Sequence, residues 1–194
     1  MDFIYEVENN LSEDLCNEII RRFEKDDRKY NSAIIDNGIS TDIRKTTNLK
    51  LTGIDEWDDI DKILSEKLGE GLEKYVNHVN KYMNVLGIDI DISDIFDDEG
   101  YLIQRTCKNE YYHWHADQFL EPGFPTRVIT CIWYLNTLKE SDGGFTEFLC
   151  GKKVIPKMGS LLFFPSTWTN IHREFPVKGD VTKYTCITWL DIKM

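Results

Sequence analysis

Within EYYHWHADQ, residues 110–118, His113, His115 and Asp117 occupy every second position. In an extended strand alternate side chains leave the same face. The spacing therefore predicts two imidazoles and a carboxylate projecting together. Neutral imidazole nitrogens and a carboxylate oxygen are ligands for a divalent transition metal. The chain has only four histidines, and the other two are His78 and His172. His78 falls among polar residues of a helical stretch and reads as a surface side chain. That leaves His172 as the one distant imidazole available.

Two metal sites are compatible with this inventory. In the first, His115, Asp117 and His172 form a two-histidine, one-carboxylate facial set that leaves three positions of an iron ion open. In the second, His113, His115 and Asp117 act together, in a pattern similar to the H-x-H-x-D-H zinc motif of metallo-β-lactamase-fold hydrolases. Here the last motif position is Gln118, and the histidines are too few to complete a two-zinc site. Lys183 bears on the choice, because Lys183, Thr185, Ile187 and Trp189 share one face of a terminal strand. An ammonium buried there needs an anion, which a carboxylate bound inside a barrel would supply. An exposed strand end is the plainer reading of the same lysine.

The elements that must position these groups divide the chain. Residues 11–25 place Leu11, Leu15, Ile19, Ile20 and Phe23 on one helical face, with Ser12 as N-cap and Glu13 and Asp14 in the first turn. Residues 54–86 repeat the pattern from Trp57 to Tyr82, and Gly69 and Gly71 predict a kink. Between the helices, IIDNGISTDIRKTTNLKL predicts strands joined by a loop that turns at Asn37-Gly38. The acidic stretch 89–99 predicts a solvated loop. Beyond it the chain is β-rich, with strands expected over 101–105, 111–117, 127–135, 145–149, 159–164 and 183–190. Helices first and strands later predict one α+β domain, with helices packed on a sandwich or barrel.

Bulk properties narrow the function. The 194 residues suffice for one domain with a real core, and no run of about 18 apolar residues predicts a transmembrane helix. MDFIYEVENN lacks the basic and apolar regions of a signal peptide. A net charge of −11 disfavours nucleic acid and anionic membrane surfaces as partners. The five cysteines, Cys16, Cys107, Cys131, Cys150 and Cys186, are odd in number and contain no C-x-x-C. They read as reduced residues of a cytoplasmic protein, neither a disulfide framework nor a zinc site.

Taken in order, YHWHAD, RVITCIWYLN, GGFTEF, PKMG, HREFPV, KY and TW resemble the pattern of the prolyl 4-hydroxylase group of 2-oxoglutarate- and iron(II)-dependent dioxygenases. The resemblance runs from about Tyr101 to Leu190, and LSEDLCNEII and DIRKTT are similar to that group's first helix and following loop. It implies a double-stranded β-helix, or jelly-roll, core with the amino-terminal helices packed on its major sheet. The implied domain spans 1–194, with 1–100 as helical support and substrate-loop region and 101–190 as catalytic core.

Residue by residue, the resemblance implies His115, Asp117 and His172 as iron ligands. It leaves His113 at a variable position near the cavity mouth, with Trp114 and Ala116 packed on the opposite side. Lys183 would pair with the distal carboxylate of 2-oxoglutarate, helped by the Tyr134 hydroxyl, and Thr146 and Thr185 would line that pocket. Arg127, Tyr112 and Arg44 would face the substrate, together with the loops IDNGISTDIRKTT and FLEPGFPT, and Trp189 would lie beneath the metal. One departure stands out: Thr106 occupies a position where the group often has tyrosine, and Asn109 replaces a usual glycine.

The implied activity couples decarboxylation of 2-oxoglutarate by oxygen to hydroxylation of an unactivated C–H bond, with Fe(2+) and L-ascorbate as cofactors. An aspartate at 117, where related halogenases carry glycine, favours hydroxylation. The expected substrate is a prolyl residue in a peptide or protein. The alternatives are a free amino acid or small metabolite and, less favoured, zinc hydrolysis through His113, His115 and Asp117.

Overall fold

The computed structural model describes residues 3–32, 35–36, 39–40, 43–87, 95–118 and 126–193. The Asn37-Gly38 turn, the loop 119–125 and most of the acidic stretch 89–99 lie outside the described residues. Helix α1 (Glu13–Lys25) begins where expected: the Ser12 side chain accepts from the Leu15 N–H at 3.2 Å, and Glu13 and Asp14 occupy the first turn. Helix α2 (Asp58–Met83) buries Ile60, Leu64, Leu68, Gly71 and Tyr75 at helical spacing.

Helix α2 runs without a break through Gly69 and Gly71. Gly71 serves close packing. A Cβ there would lie 2.6 Å from Leu161 Cδ2 and 3.1 Å from the Phe163 ring, both in the buried core. Gly69 is exposed, and a Cβ there would meet nothing within 4 Å among the described residues. Gly69→Ala is therefore expected to stabilise the protein by about 0.5–1 kcal/mol. Gly71→Ala is expected to destabilise it by about 1–2 kcal/mol, overpacking outweighing the helix preference. Urea unfolding of the two variants checks this; equal shifts in the same direction would contradict the packing argument.

The strands are β1 (Tyr5–Val7), β2 (Tyr30–Ser32), β3 (Ile35–Asp36), β4 (Ile39–Ser40), β5 (Arg44–Lys50), β6 (Phe96–Asp98), β7 (Leu102–Thr106), β8 (Tyr111–His115), β9 (Arg127–Tyr134), β10 (Thr146–Phe148), β11 (Lys153–Val154), β12 (Leu161–Pro165), β13 (His172–Glu174) and β14 (Lys183–Ile192). All ladders between them are antiparallel. Strands β3 and β4 pair with each other. The main path runs β1-β12-β9-β14-β7-β5-β8-β13-β10-β11. Strand β5 makes the corner, pairing β7 along Thr47–Lys50 and β8 through Arg44 and Lys45. The result is a double-stranded β-helix, its major half β1-β12-β9-β14-β7-β5 and its minor half β8-β13-β10-β11.

Strand alternation builds two cores. On β9, Ile129, Cys131 and Trp133 join the cluster under the helices, whereas Ile132 and Tyr134 join a second cluster with Phe148, Val154, Leu162, Phe164 and Ile187. Strand β12 divides likewise, Leu161 and Phe163 toward the helices and Leu162 and Phe164 inward. Tyr75 of α2 stacks on Phe163 at 5.1 Å, and Trp133 Nε1 donates to Asn10 Oδ1 at 2.6 Å. His78, expected at the surface, is half-buried with its ring stacked on Tyr5 at 4.3 Å. All five cysteines are free thiols, three of them buried.

Candidate metal centre

The predicted common face of His113, His115 and Asp117 does not form. Across the β8–β13 ladder His115 pairs with His172 but Tyr112 pairs with Glu174, so three steps along β8 match two along β13. The extra residue is a β-bulge, and it flips the alternation. Tyr112 now stacks on His115 with ring centroids 3.5 Å apart, while His113 is exposed against Tyr111. His113 is thus turned out of the set that the hydrolase alternative requires.

Among the described residues one group of potential metal ligands gathers, His115, Asp117 and His172, with donor atoms within 4.8 Å of one another. His115 ends β8, Asp117 follows it, and His172 opens β13, so the ladder between the two strands brings distant sequence together. Asp117 Oδ1 lies 3.4 Å from His115 Nε2, and Oδ2 lies 3.5 Å from His172 Nε2. Each Nδ1 is engaged elsewhere: that of His115 donates to the His113 carbonyl at 2.7 Å and that of His172 to the Asn170 carbonyl at 3.1 Å. Such bonds fix the tautomer and direct the Nε2 lone pairs toward the carboxylate.

Electrostatics prepare the same donors. Burial lowers the His172 imidazole to a pKa of about 4, outweighing the opposite pull of Asp117, so it is neutral and able to coordinate near neutral pH. Burial alone would push the Asp117 carboxyl up. The neighbouring His172 and His115 imidazoles and the Thr130 hydroxyl overcome it and hold Asp117 ionised, well below the usual carboxylate range. Thr130 Oγ donates to Asp117 Oδ2 at 2.7 Å and accepts from Ser166 Oγ at 2.8 Å. Phe164 and Phe148 pack around the His172 ring at centroid distances of 4.7 and 5.8 Å.

The cluster lines a cavity of about 450 Å³, part of it open to solvent, whose wall also carries Lys183, Thr185, Ile187 and Trp189. The predicted shared face of β14 is therefore the cavity wall, and the Lys183 side chain is buried rather than at an exposed strand end. Thr146 lines the cavity as well. Tyr134 does not: its hydroxyl bonds Thr146 Oγ1 at 2.7 Å, and the ring lies within the inner apolar cluster, 5.5 Å from Lys183 Nζ.

The substrate-side candidates meet at the mouth. Arg44 and Tyr112 line both the cavity and an adjoining groove of about 930 Å³ that also includes Tyr30, Lys50, Glu99 and Arg127. Arg127 makes a bidentate pair with Glu99, both contacts 2.6 Å, and its guanidinium lies 3.7 Å from the Trp189 ring centroid. Sequence reasoning missed Thr130, Gln104 and Glu174 on the cavity wall. For Glu174 a signal existed, since it is two residues from His172 and strand alternation returns it to the same face.

Comparison with known proteins follows this geometry. Residues 101–191 match the model of the 2OG-Fe(II) oxygenase superfamily. Among curated protein sequences, none matches. Of solved structures, a prolyl hydroxylase of Trichoplax adhaerens in complex with a hypoxia-inducible-factor peptide superposes with a TM-score of 0.75 at 18% identity, covering 98% of this chain and 84% of that one. A collagen prolyl hydroxylase of Paramecium bursaria Chlorella virus-1, as its 2OG complex, gives 0.64 at 17% identity, covering 100% and 97%. A Pseudomonas putida prolyl-4-hydroxylase gives 0.62 at 16% identity, covering 98% and 93%.

Proposed function

We propose that this chain, whose residues 101–191 match the model of the 2OG-Fe(II) oxygenase superfamily, is a 2-oxoglutarate- and iron(II)-dependent oxygenase that hydroxylates a prolyl side chain within a peptide or protein. The observation that carries the reading is one cavity whose wall bears both the His115–Asp117–His172 cluster and the Lys183 ammonium. Two nitrogen donors and one carboxylate oxygen suit iron(II). When bound, the metal and 2-oxoglutarate supply the oxidising power, drawn from oxygen, that inserts a hydroxyl into an unactivated C–H bond.

The protein's own groups support that assignment. In this reading His115, Asp117 and His172 hold the ion through atoms that the Nδ1 bonds and Thr130 already orient. Two neutral imidazoles and one carboxylate leave iron(II) with a single net positive charge, ready for an anionic chelator. Lys183 and Thr185 would receive 2-oxoglutarate. The Thr185 hydroxyl is buried on the cavity wall with no hydrogen-bond partner among the described residues, a polar group that a bound carboxylate would satisfy. Ile132, Ile187 and Trp189 add apolar surface to a wall that is otherwise largely polar.

A peptide substrate is favoured by the groove, which continues past the cavity mouth and shares Arg44, Tyr112, Asp117 and Trp189 with it. A free amino acid would leave that length unused. The Trichoplax neighbour, a prolyl hydroxylase, was solved with a peptide bound. Mass spectrometry of proline-containing peptides incubated with the iron-loaded protein, 2-oxoglutarate and oxygen tests the reading, with succinate release measured in parallel. Gain of one oxygen atom on proline is expected. Succinate release with free amino acids and none with peptides would move the substrate to a small molecule, and hydrolysis without oxygen would return the zinc alternative.

A further inference from the structure

Lys183, the ammonium assigned to the co-substrate, already holds a carboxylate. Its Nζ lies 2.7 Å from Glu174 Oε1, with Lys183 2% and Glu174 7% exposed. Two more donors secure that carboxylate: Gln104 Nε2 gives to Oε2 at 2.7 Å and Thr106 Oγ1 to Oε1 at 3.0 Å. Gln104 in turn accepts from Arg44, a second cation on the cavity wall. Thr106 is the position singled out above as departing from the family's tyrosine, and here its hydroxyl grips Glu174. Strand alternation aims Glu174 inward, because it and His172 share the inner face of β13.

A buried carboxylate with three donors is satisfied, and a buried ammonium paired with it is compensated. A second carboxylate arriving at the same ammonium meets a like charge, which weakens its binding. Resting on the co-substrate assignment above, we propose that Glu174 is a built-in competitor for Lys183, a carboxylate that the distal carboxylate of 2-oxoglutarate must displace. Glu174 thereby sets the co-substrate concentration at which the site fills. On displacement it exchanges the Lys183 contact while Gln104 and Thr106 retain it, and Arg44 stands one side chain away through Gln104. The competition acts on a distal carboxylate alone; a 2-oxo acid without one, such as pyruvate, does not meet it.

Isothermal titration calorimetry under nitrogen, with manganese(II)-loaded protein, tests this without turnover. Glu174→Gln is expected to bind 2-oxoglutarate about tenfold more tightly than the unmodified chain, a difference of about 1.4 kcal/mol, while pyruvate affinity stays the same. Glu174→Asp, which draws the carboxylate back from Lys183 and keeps its charge, is expected to tighten 2-oxoglutarate about threefold and serves if Glu174→Gln does not fold. Unchanged or weaker 2-oxoglutarate binding in the variants, or an equal gain for pyruvate, overturns the competitor role. Absence of 2-oxoglutarate binding in the unmodified chain and every variant overturns the co-substrate assignment itself.

Discussion

Lys183→Met is expected to cost the protein about 3–5 kcal/mol, because it leaves the Glu174 carboxylate buried and uncompensated. For a chain of this size, with about 2–4 °C lost per kcal/mol, melting should fall by roughly 6–20 °C. Gln104 and Thr106 still donate to Glu174, so the variant should fold at low temperature. The double variant Lys183→Met/Glu174→Gln should recover most of the stability, since the pair is removed rather than broken. Binding of 2-oxoglutarate should not recover with it. Calorimetric melting of the two single variants and the double variant closes the cycle. Equal stability of Lys183→Met and the unmodified chain would mean that the ammonium does not compensate Glu174.

His172→Ala is expected to lower metal affinity and turnover by well over about 100-fold, the upper cost of losing only an outer partner of a metal ligand. His113→Ala is expected to stay within about twofold, the usual scale for an exposed position. The contrast between the two imidazoles comes from placement. His172 is buried with Nε2 3.5 Å from Asp117, whereas His113 lies in the bulged stretch of β8 with its ring against Tyr111. Equilibrium dialysis against iron(II) under nitrogen, followed by a succinate assay, measures both. Equal losses in the two variants would restore the adjacent-histidine site.

The helices and the layering were legible from periodicity. The apolar spacing of residues 11–25 and 54–86 matches the buried faces of α1 and α2, and the alternation of RVITCIWYLN sorts β9 between two cores. The common face of Lys183, Thr185, Ile187 and Trp189 was also readable, because β14 runs as one regular strand across them. What failed were inferences that needed a neighbour. The tight packing at Gly71 was not readable, because it comes from Leu161 and Phe163, about ninety residues away. The alternation through His113 assumed a regular strand, and the mismatch that breaks it belongs to the pairing with β13.

By itself the sequence determined the class of chemistry. Few histidines, one carboxylate two residues from an imidazole and an ordered run of motifs are properties of the chain that any local folding preserves. Only the tertiary structure decided which imidazole of the HWH pair turns inward, and that Lys183 meets Glu174 before it meets any ligand. Both depend on register between strands distant in sequence, where one extra residue on one side reverses every facing side chain beyond it.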